Sequence, residues 1–505
     1  MKNPWSAQLS TQPRLSFGKW WRRGVVLFCV GLTITVIGSH GQAIALTPKA
    51  YDQLEFPPLP EITLPEYERY ELDNGMVIYL MEDHTLPLVG GSAIIRTGSR
   101  YEPADQVGLA EITGSVMRSG GTTDHAADEL NEILEQRAAS IETGIGENSG
   151  SASFSALKED FDLVFDLFAE VLQKPAFPQD KIDLEKRQIS GAIARQNDDP
   201  SDIASREFSK LIYGATSPYA RTIEYTNLAN IERDDLIKFY QSYVRPDQII
   251  LGIIGDIDIA ETKAKIEANF ATWKNPTTEM DLTPPAVMPT AALGKTFLVD
   301  QPQLTQSNIL VGQPGGQLDN PDYPQISVMN GVINGFGGRL FNEIRSRQGL
   351  AYSVYGVWSP QYDHPGYLIA GGSTRSEATV PFLKALKSEL ERIREEPITE
   401  EELKNAKESI LNSFVFNFED PGQTLSRLMT YEYYGYAPDF IFQYEQGVRA
   451  TTIADVQRVA QEYLKPEDLT VLVVGNAGAM KPPLTDLYDE ITAIDVTIPE
   501  PPAAE

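Results

Sequence analysis

One landmark occurs twice in this chain, 220 residues apart, and that repetition limits its fold more than any other feature. Tyr243-Val244-Arg245-Pro246-Asp247 leads into an apolar run ending at Gly255-Asp256. Tyr463-Leu464-Lys465-Pro466-Glu467 leads into another ending at Gly475-Asn476. Upstream, Asp198-Asp199-Pro200 is answered by Glu419-Asp420-Pro421 at an offset of 221. Solenoid repeats run about 20–50 residues, so a period this long marks a duplicated domain. The joint falls at 276–293, where Pro276, Pro284, Pro285 and Pro289 interrupt periodicity. It divides a first lobe, 67–275, from a second, 294–484, each of ordinary domain size.

Inside a lobe the order is strands, then long amphipathic helices, then a last strand. Tyr67–Leu72, the turn pair Asn74-Gly75 and Met76–Met81 spell a hairpin. Apolar spacing predicts helices over Leu157–Leu172 and Asp180–Arg195, with Leu383–Ile393 and Glu400–Phe416 as their counterparts. The fold class expected is α+β: two homologous lobes, each a mainly antiparallel sheet with helices packed on one face.

The ends carry other signals. Residues 1–45 read as an export signal: a basic Lys19-Trp20-Trp21-Arg22-Arg23, an apolar run from Val25 to Ile37, and the small-residue site Ala43-Ile44-Ala45. About 13 apolar residues are few for a membrane span. Cleavage is therefore the expectation, with retention as an uncleaved anchor the alternative, and the compartment is periplasmic or an extracytoplasmic equivalent. The one cysteine, Cys29, lies in that segment, so the mature chain has neither disulfides nor thiolate metal ligands. A proline-rich lead, 46–66, precedes the first lobe, and an acidic proline-rich tail, 485–505, follows the second. With 42 basic against 71 acidic residues the formal charge is −29; removing 1–45, which holds five basic side chains and no acid, leaves 37 against 71, near −34. Such a surface repels phosphate backbones, so nucleic acid is excluded as a partner.

Gly108-Leu109-Ala110-Glu111-Ile112-Thr113-Gly114-Ser115, running on to Gly120-Gly121-Thr122, resembles the inverted zinc motif of the pitrilysin/insulinase metallopeptidases, which reads Gly-Leu-Ala-His-x-x-Glu-His and closes with Gly-Thr. In that family the two histidines bind zinc from one helical face and the glutamate activates water. Here those positions hold Glu111, Gly114 and Ser115. The family's third ligand, a glutamate 77 residues after the second histidine, falls on Ala192, followed by Asp198-Asp199-Pro200 as the resemblance implies. A family-associated glutamate seven residues earlier persists as Glu185, most simply a solvated helix charge beside Lys186 and Arg187. His84, His125 and His364 remain in the mature chain, and no two lie within helical or turn reach. His84 reads as a surface residue, and Glu111 alone would hold a metal only weakly. No metal site is expected in this chain.

The second half differs. Gly335-Phe336-Gly337-Gly338-Arg339-Leu340-Phe341, followed by Arg345 and Tyr352, resembles the same family's C-terminal glycine-rich turn, Arg-Leu-Phe helix and Arg-x6-Tyr pair. The resemblance implies that Gly337, Gly338 and Arg339 contact substrate, and that Arg345 and Tyr352 reach across to a zinc site to hold substrate carbonyls and the developing oxyanion. The glycine run lacks the Gly-Lys-Ser/Thr ending of a phosphate loop. Taken over 67–475, the resemblance is to the two-domain branch typified by mitochondrial processing peptidase, of LuxS/processing-peptidase-like fold. Some of its members are heterodimers in which one subunit carries zinc and the other the Arg/Tyr pair. It implies a non-catalytic subunit with Arg345 and Tyr352 acting in trans, zinc in a homologous partner, and peptides as substrates. A peptide-binding scaffold with no part in cleavage is the alternative, and a self-sufficient metallopeptidase a third reading.

Overall fold

The repeated landmark turns out to be the entry to each lobe's central strand. A computed structural model describes residues 62–277, 281–287, 290, 292–334 and 337–502; the export signal, the lead as far as Glu61, and Gly335 and Phe336 lie outside the described residues. In the first lobe, strands β1 (Glu68–Glu71), β2 (Val77–Glu82), β3 (Leu88–Ile95), β4 (Ser140–Ile145), β5 (Gly150–Leu157) and β6 (Ile249–Gly255) form one sheet in the order β1-β2-β6-β3-β5-β4. In the second, β7 (Thr296–Asp300), β8 (Gln306–Pro314), β9 (Ala351–Ser359), β10 (Tyr367–Arg375), β11 (Thr470–Gly475) and β12 (Ile491–Ala493) follow the order β12-β7-β11-β8-β10-β9. The Arg-Pro-Asp and Lys-Pro-Glu landmarks form single 3-10 turns at Pro246–Gln248 and Pro466–Asp468 that feed β6 and β11 into the middle of their sheets. β11 is buried throughout, which explains its unbroken apolar sequence. Both sheets are mainly antiparallel; β2–β6, β7–β11 and β7–β12 are the parallel pairs. Through β12, part of the tail completes the second sheet.

Helices cover one face of each sheet, as expected. In the first lobe these include α1 (Leu109–Ser119), α2 (Phe161–Gln173) and α3 (Gln179–Ile193), and Phe165 and Phe168 of α2 pack on Phe154 of β5. Periodicity would start α2 at Leu157, but Gly150–Leu157 alternates buried and exposed at every residue, the signature of a strand, and the helix starts at Phe161.

The opposite face of each sheet is covered from the other lobe. α4 (Pro200–Tyr213) packs on β8 and β11; in the second lobe, after α5 (Thr379–Glu395) and α6 (Glu400–Ser413), α7 (Pro421–Tyr434) packs on β2, β3 and β6. Ile203, Phe208 and Ile212 thus share a core with Val299, Leu310 and Leu472, while Leu425, Leu428 and Met429 share one with Tyr79, Met81 and Ile250. The two matching Asp-Pro turns are the starts of these exchanged helices. Asp199 and Asp420 accept N–H bonds from Ser201 and Gly422, and Pro200 and Pro421 take the first helical position, where a missing N–H costs nothing.

A buried clasp adds to this exchange. Arg100 donates to Asp363 at 2.6 Å, and the adjacent His364 stacks on Tyr219 with ring centroids 4.1 Å apart. Asp363 lies in the turn between β9 and β10, so the second lobe's edge hairpin is pinned to the first lobe at its tip. Among the described residues no helix is long and apolar enough to cross a membrane.

Candidate functional site

The altered zinc motif sits where the resemblance places it. Gly108, in the left-handed region with φ 102°, turns the chain into α1, and the Glu102 carboxylate accepts the N–H groups of Gly108 and Ala110 at 3.0 and 2.9 Å. Glu102 supplies the negative charge that a helix start favours. It lies six and eight residues before the groups it binds, outside any local capping pattern, and no sequence signal marked it.

Glu111 on α1 and Ala192 on α3 line a pocket of about 540 Å3, with Glu102, Glu147 and Arg221 among its other walls. Glu111 is exposed at the pocket's rim, where partial desolvation by the surrounding walls, then the charge of Glu185, push its carboxyl above its ordinary range. Glu185 is half-buried and its charge acts on Glu111, while the adjacent Lys186 donates to the Ile231 carbonyl. Gly114 faces away from the pocket. A Cβ there would lie 2.3 Å from the Ile145 nitrogen and 2.7 Å from the Gly144 carbonyl carbon, because α1 rests against the backbone of β4. The space a catalytic glutamate would need is filled by main chain. Ser115 is half-buried beside it.

These residues do not fit zinc. The three histidines among the described residues are each engaged elsewhere, His84 with Asp256 at 2.6 Å, His125 with Glu170 at 2.9 Å and His364 with Asp363 at 2.8 Å. Among the described residues no group of three or more His, Cys, Asp or Glu is arranged to hold a metal.

Arg345 and Tyr352 are brought together. Phe341–Arg347 forms a short π-helix, a form common at functional sites. The Arg345 guanidinium carbon lies 4.9 Å from the Phe341 ring centroid and 5.4 Å from that of Tyr352. Tyr352 is 81% exposed, the most open of the large apolar side chains among the described residues. The register of β9 with β10 explains why: Ala351 pairs with Thr374 and Ser353 with Ser373, leaving Tyr352 as an extra residue in a β-bulge. Such a bulge re-aims one side chain out of the sheet. Tyr352 borders a cleft of about 220 Å3 with Gln306, Ser373 and Arg375, all from the second lobe, whereas the Glu111 pocket draws only on the first. The chain does not unite its Arg/Tyr pair with its own altered motif.

Of the three residues expected to contact substrate, Gly337 is open, with nothing within 4 Å of an added Cβ, and Gly338 is closely packed, its Cβ position 2.3 Å from the Asn334 carbonyl oxygen. Arg339 is buried and binds both oxygens of Glu402 at 2.6 and 3.1 Å, tying the glycine turn to the start of α6. Burial pushes the Glu402 carboxyl up, but Arg339 and the Thr399 N–H outweigh it and hold it down at about 2.

Fold and site together define a duplicated α+β chain of the zinc-metallopeptidase class whose metal positions are replaced. Two family models divide it, the insulinase (peptidase family M16) model over residues 78–226 and the peptidase M16 inactive domain over 230–410. The chain belongs to peptidase family M16. It is 25% identical over 364 residues to the uncharacterized zinc protease YmxG of Bacillus subtilis, covering 71% of this chain and 86% of that one. It is also 25% identical over 413 residues to the non-peptidase homolog YmxG of Helicobacter pylori, covering 79% and 91%. Among solved structures it resembles a peptidase M16 inactive domain from Pseudomonas fluorescens with a TM-score of 0.74 at 22% identity, over 83% of this chain and 100% of that one. A protease from Helicobacter pylori gives 0.71 at 19% identity, over 81% and 100%.

Proposed function

We propose that this chain is the non-catalytic subunit of a heterodimeric zinc peptidase, exported from the cytoplasm, that lends Arg345 and Tyr352 to a partner's metal site. The observation that carries this reading is the division of the site. The metal positions are replaced and the catalytic-glutamate position, Gly114, is closed by packing, while the Arg/Tyr pair is intact, stacked, and thrust outward on a bulge in the opposite lobe. Zinc in the partner would supply the activated water. The part of this chain is to hold the scissile carbonyl: the Arg345 guanidinium and the Tyr352 hydroxyl donate hydrogen bonds to its oxygen as negative charge develops there, which is where fixed donors accelerate acyl transfer most. Peptides or unfolded segments are the substrates this geometry suits.

Co-expression with a zinc-motif homologue tests the proposal. The complex is expected to cleave an unstructured peptide, and Arg345→Ala with Tyr352→Phe to lower kcat by about 100-fold or more, the scale of lost oxyanion donors. Undiminished cleavage by the double variant refutes a role in trans. The non-peptidase label of the Helicobacter pylori relative favours a second reading, a peptide-binding scaffold. That reading predicts tight peptide binding by the isolated chain and no homologous partner in pull-downs.

A further inference from the structure

The pocket left behind by the zinc motif has a chemistry of its own. Ala192 presents only a methyl group where the family motif has a carboxylate, and the walls around it are aliphatic: Val107, Ile145, Ile189, Ile193 and Ile223. The charged groups sort into two sets. Glu102 and Arg221 satisfy each other and the backbone; Glu102 takes two N–H groups of α1, and Arg221 lies 3.7 Å from Glu102 while donating to the carbonyl of Ser99. Glu111 and Glu147 are in no ion pair among the described residues. Arg100 and His364, the basic side chains that act on Glu147, are bonded to Asp363 in the inter-lobe clasp. The charged groups that act on Glu111 among the described residues are both acids, Glu185 and Glu102.

An aliphatic wall with an uncompensated carboxylate at its mouth is complementary to an alkyl chain ending in a cation. The stem buries against isoleucine while the head pairs with Glu111. A metal ion does not suit the site, since it offers no imidazole or thiolate and, among the described residues, no three carboxylates are arranged to hold one. We propose that this pocket binds an aliphatic ammonium, in the form of a lysine side chain of a bound polypeptide or of a free aliphatic diamine. The proposal is independent of the partner role, because it concerns the isolated chain and leaves Arg345 and Tyr352 untouched.

Calorimetric titration of the full chain tests it with three probes: acetyl-Ala-Lys-Ala-amide, its norleucine counterpart, and 1,4-diaminobutane. The lysine peptide is expected to bind at least about tenfold more tightly than the norleucine peptide, the scale of one charge-assisted hydrogen bond. Glu111→Gln should erase that preference. Ala192→Phe, at an exposed helix position, should fill the pocket and abolish binding without lowering the unfolding temperature. Competition by 1,4-diaminobutane would identify the free amine as the source, and its failure the polypeptide side chain. Equal affinity for the two peptides, binding by neither peptide nor diamine, a response to Zn2+ alone, or binding that survives Ala192→Phe would each overturn the proposal.

Discussion

Adding a single methyl group at Gly114 probes the packing of α1 on β4 more sharply than any larger change. The new Cβ would stand 2.3 Å from the Ile145 nitrogen, 2.7 Å from the Gly144 carbonyl carbon and 2.9 Å from its Cα, all main-chain atoms of an edge strand held by its ladder to β5. Overpacking of this kind costs about 1–3 kcal/mol, and contact with backbone rather than a flexible side-chain end puts it near the top of that range. Against it stands the gain from replacing glycine by alanine inside a helix, about 1 kcal/mol. Gly114→Ala should therefore lose about 2 kcal/mol. Gly191→Ala, in α3, where an added Cβ meets nothing within 4 Å, keeps only the helical gain and should stabilise by about 0.5–1 kcal/mol. Urea unfolding of both variants reads the difference. A Gly114→Ala protein as stable as the Gly191→Ala one would refute the claim that β4 occupies the place of the catalytic glutamate.

Asp363→Ala leaves Arg100 buried without its carboxylate and should cost about 3 kcal/mol by urea unfolding, while Arg100→Met with Asp363→Leu recovers most of that loss. Because Glu402 is held at about 2 against an ordinary 4.5, its pairing with Arg339 stabilises the fold fully above pH 4.5 and is lost as the pH falls toward 2. Arg339→Met should flatten the acid limb of the stability profile in that window and leave the neutral limb's slope unchanged. With α4 and α7 exchanged between lobes, residues 67–275 expressed alone should be insoluble or bind a hydrophobic dye strongly, and co-expression with 294–502 should recover a soluble complex.

Several of these features were legible in the amino-acid sequence and others were not, for reasons that differ residue by residue. The duplication was readable because its strongest landmarks, the Pro246 and Pro466 turns and the Asp199-Pro200 and Asp420-Pro421 starts, are local: capping and proline geometry act over two or three residues. The same turns gave no hint that their helices cross to the other lobe, since an amphipathic stripe says that a face is buried and not against what. Glu111, Gly114, Ser115 and Ala192 were found by register against a family motif. That Gly114 is wedged against Gly144 and Ile145 depends on the path of β4, 30 residues further on. The Arg345-x6-Tyr352 spacing pointed to a pair, but the bulge that exposes Tyr352 is a register shift against β10 and leaves no mark in β9 itself. Arg339 looked like part of the substrate turn because it adjoins Gly337 and Gly338; its partner Glu402 is 63 residues away.

Whether this chain holds only half of a catalytic site is decided by metal analysis and peptide cleavage on the purified chain without any homologue. No stoichiometric zinc should remain after dialysis, and the chain should show no chelator-sensitive cleavage of an unstructured peptide. One zinc per chain, together with cleavage that a chelator abolishes and zinc restores, would contradict that division of the site.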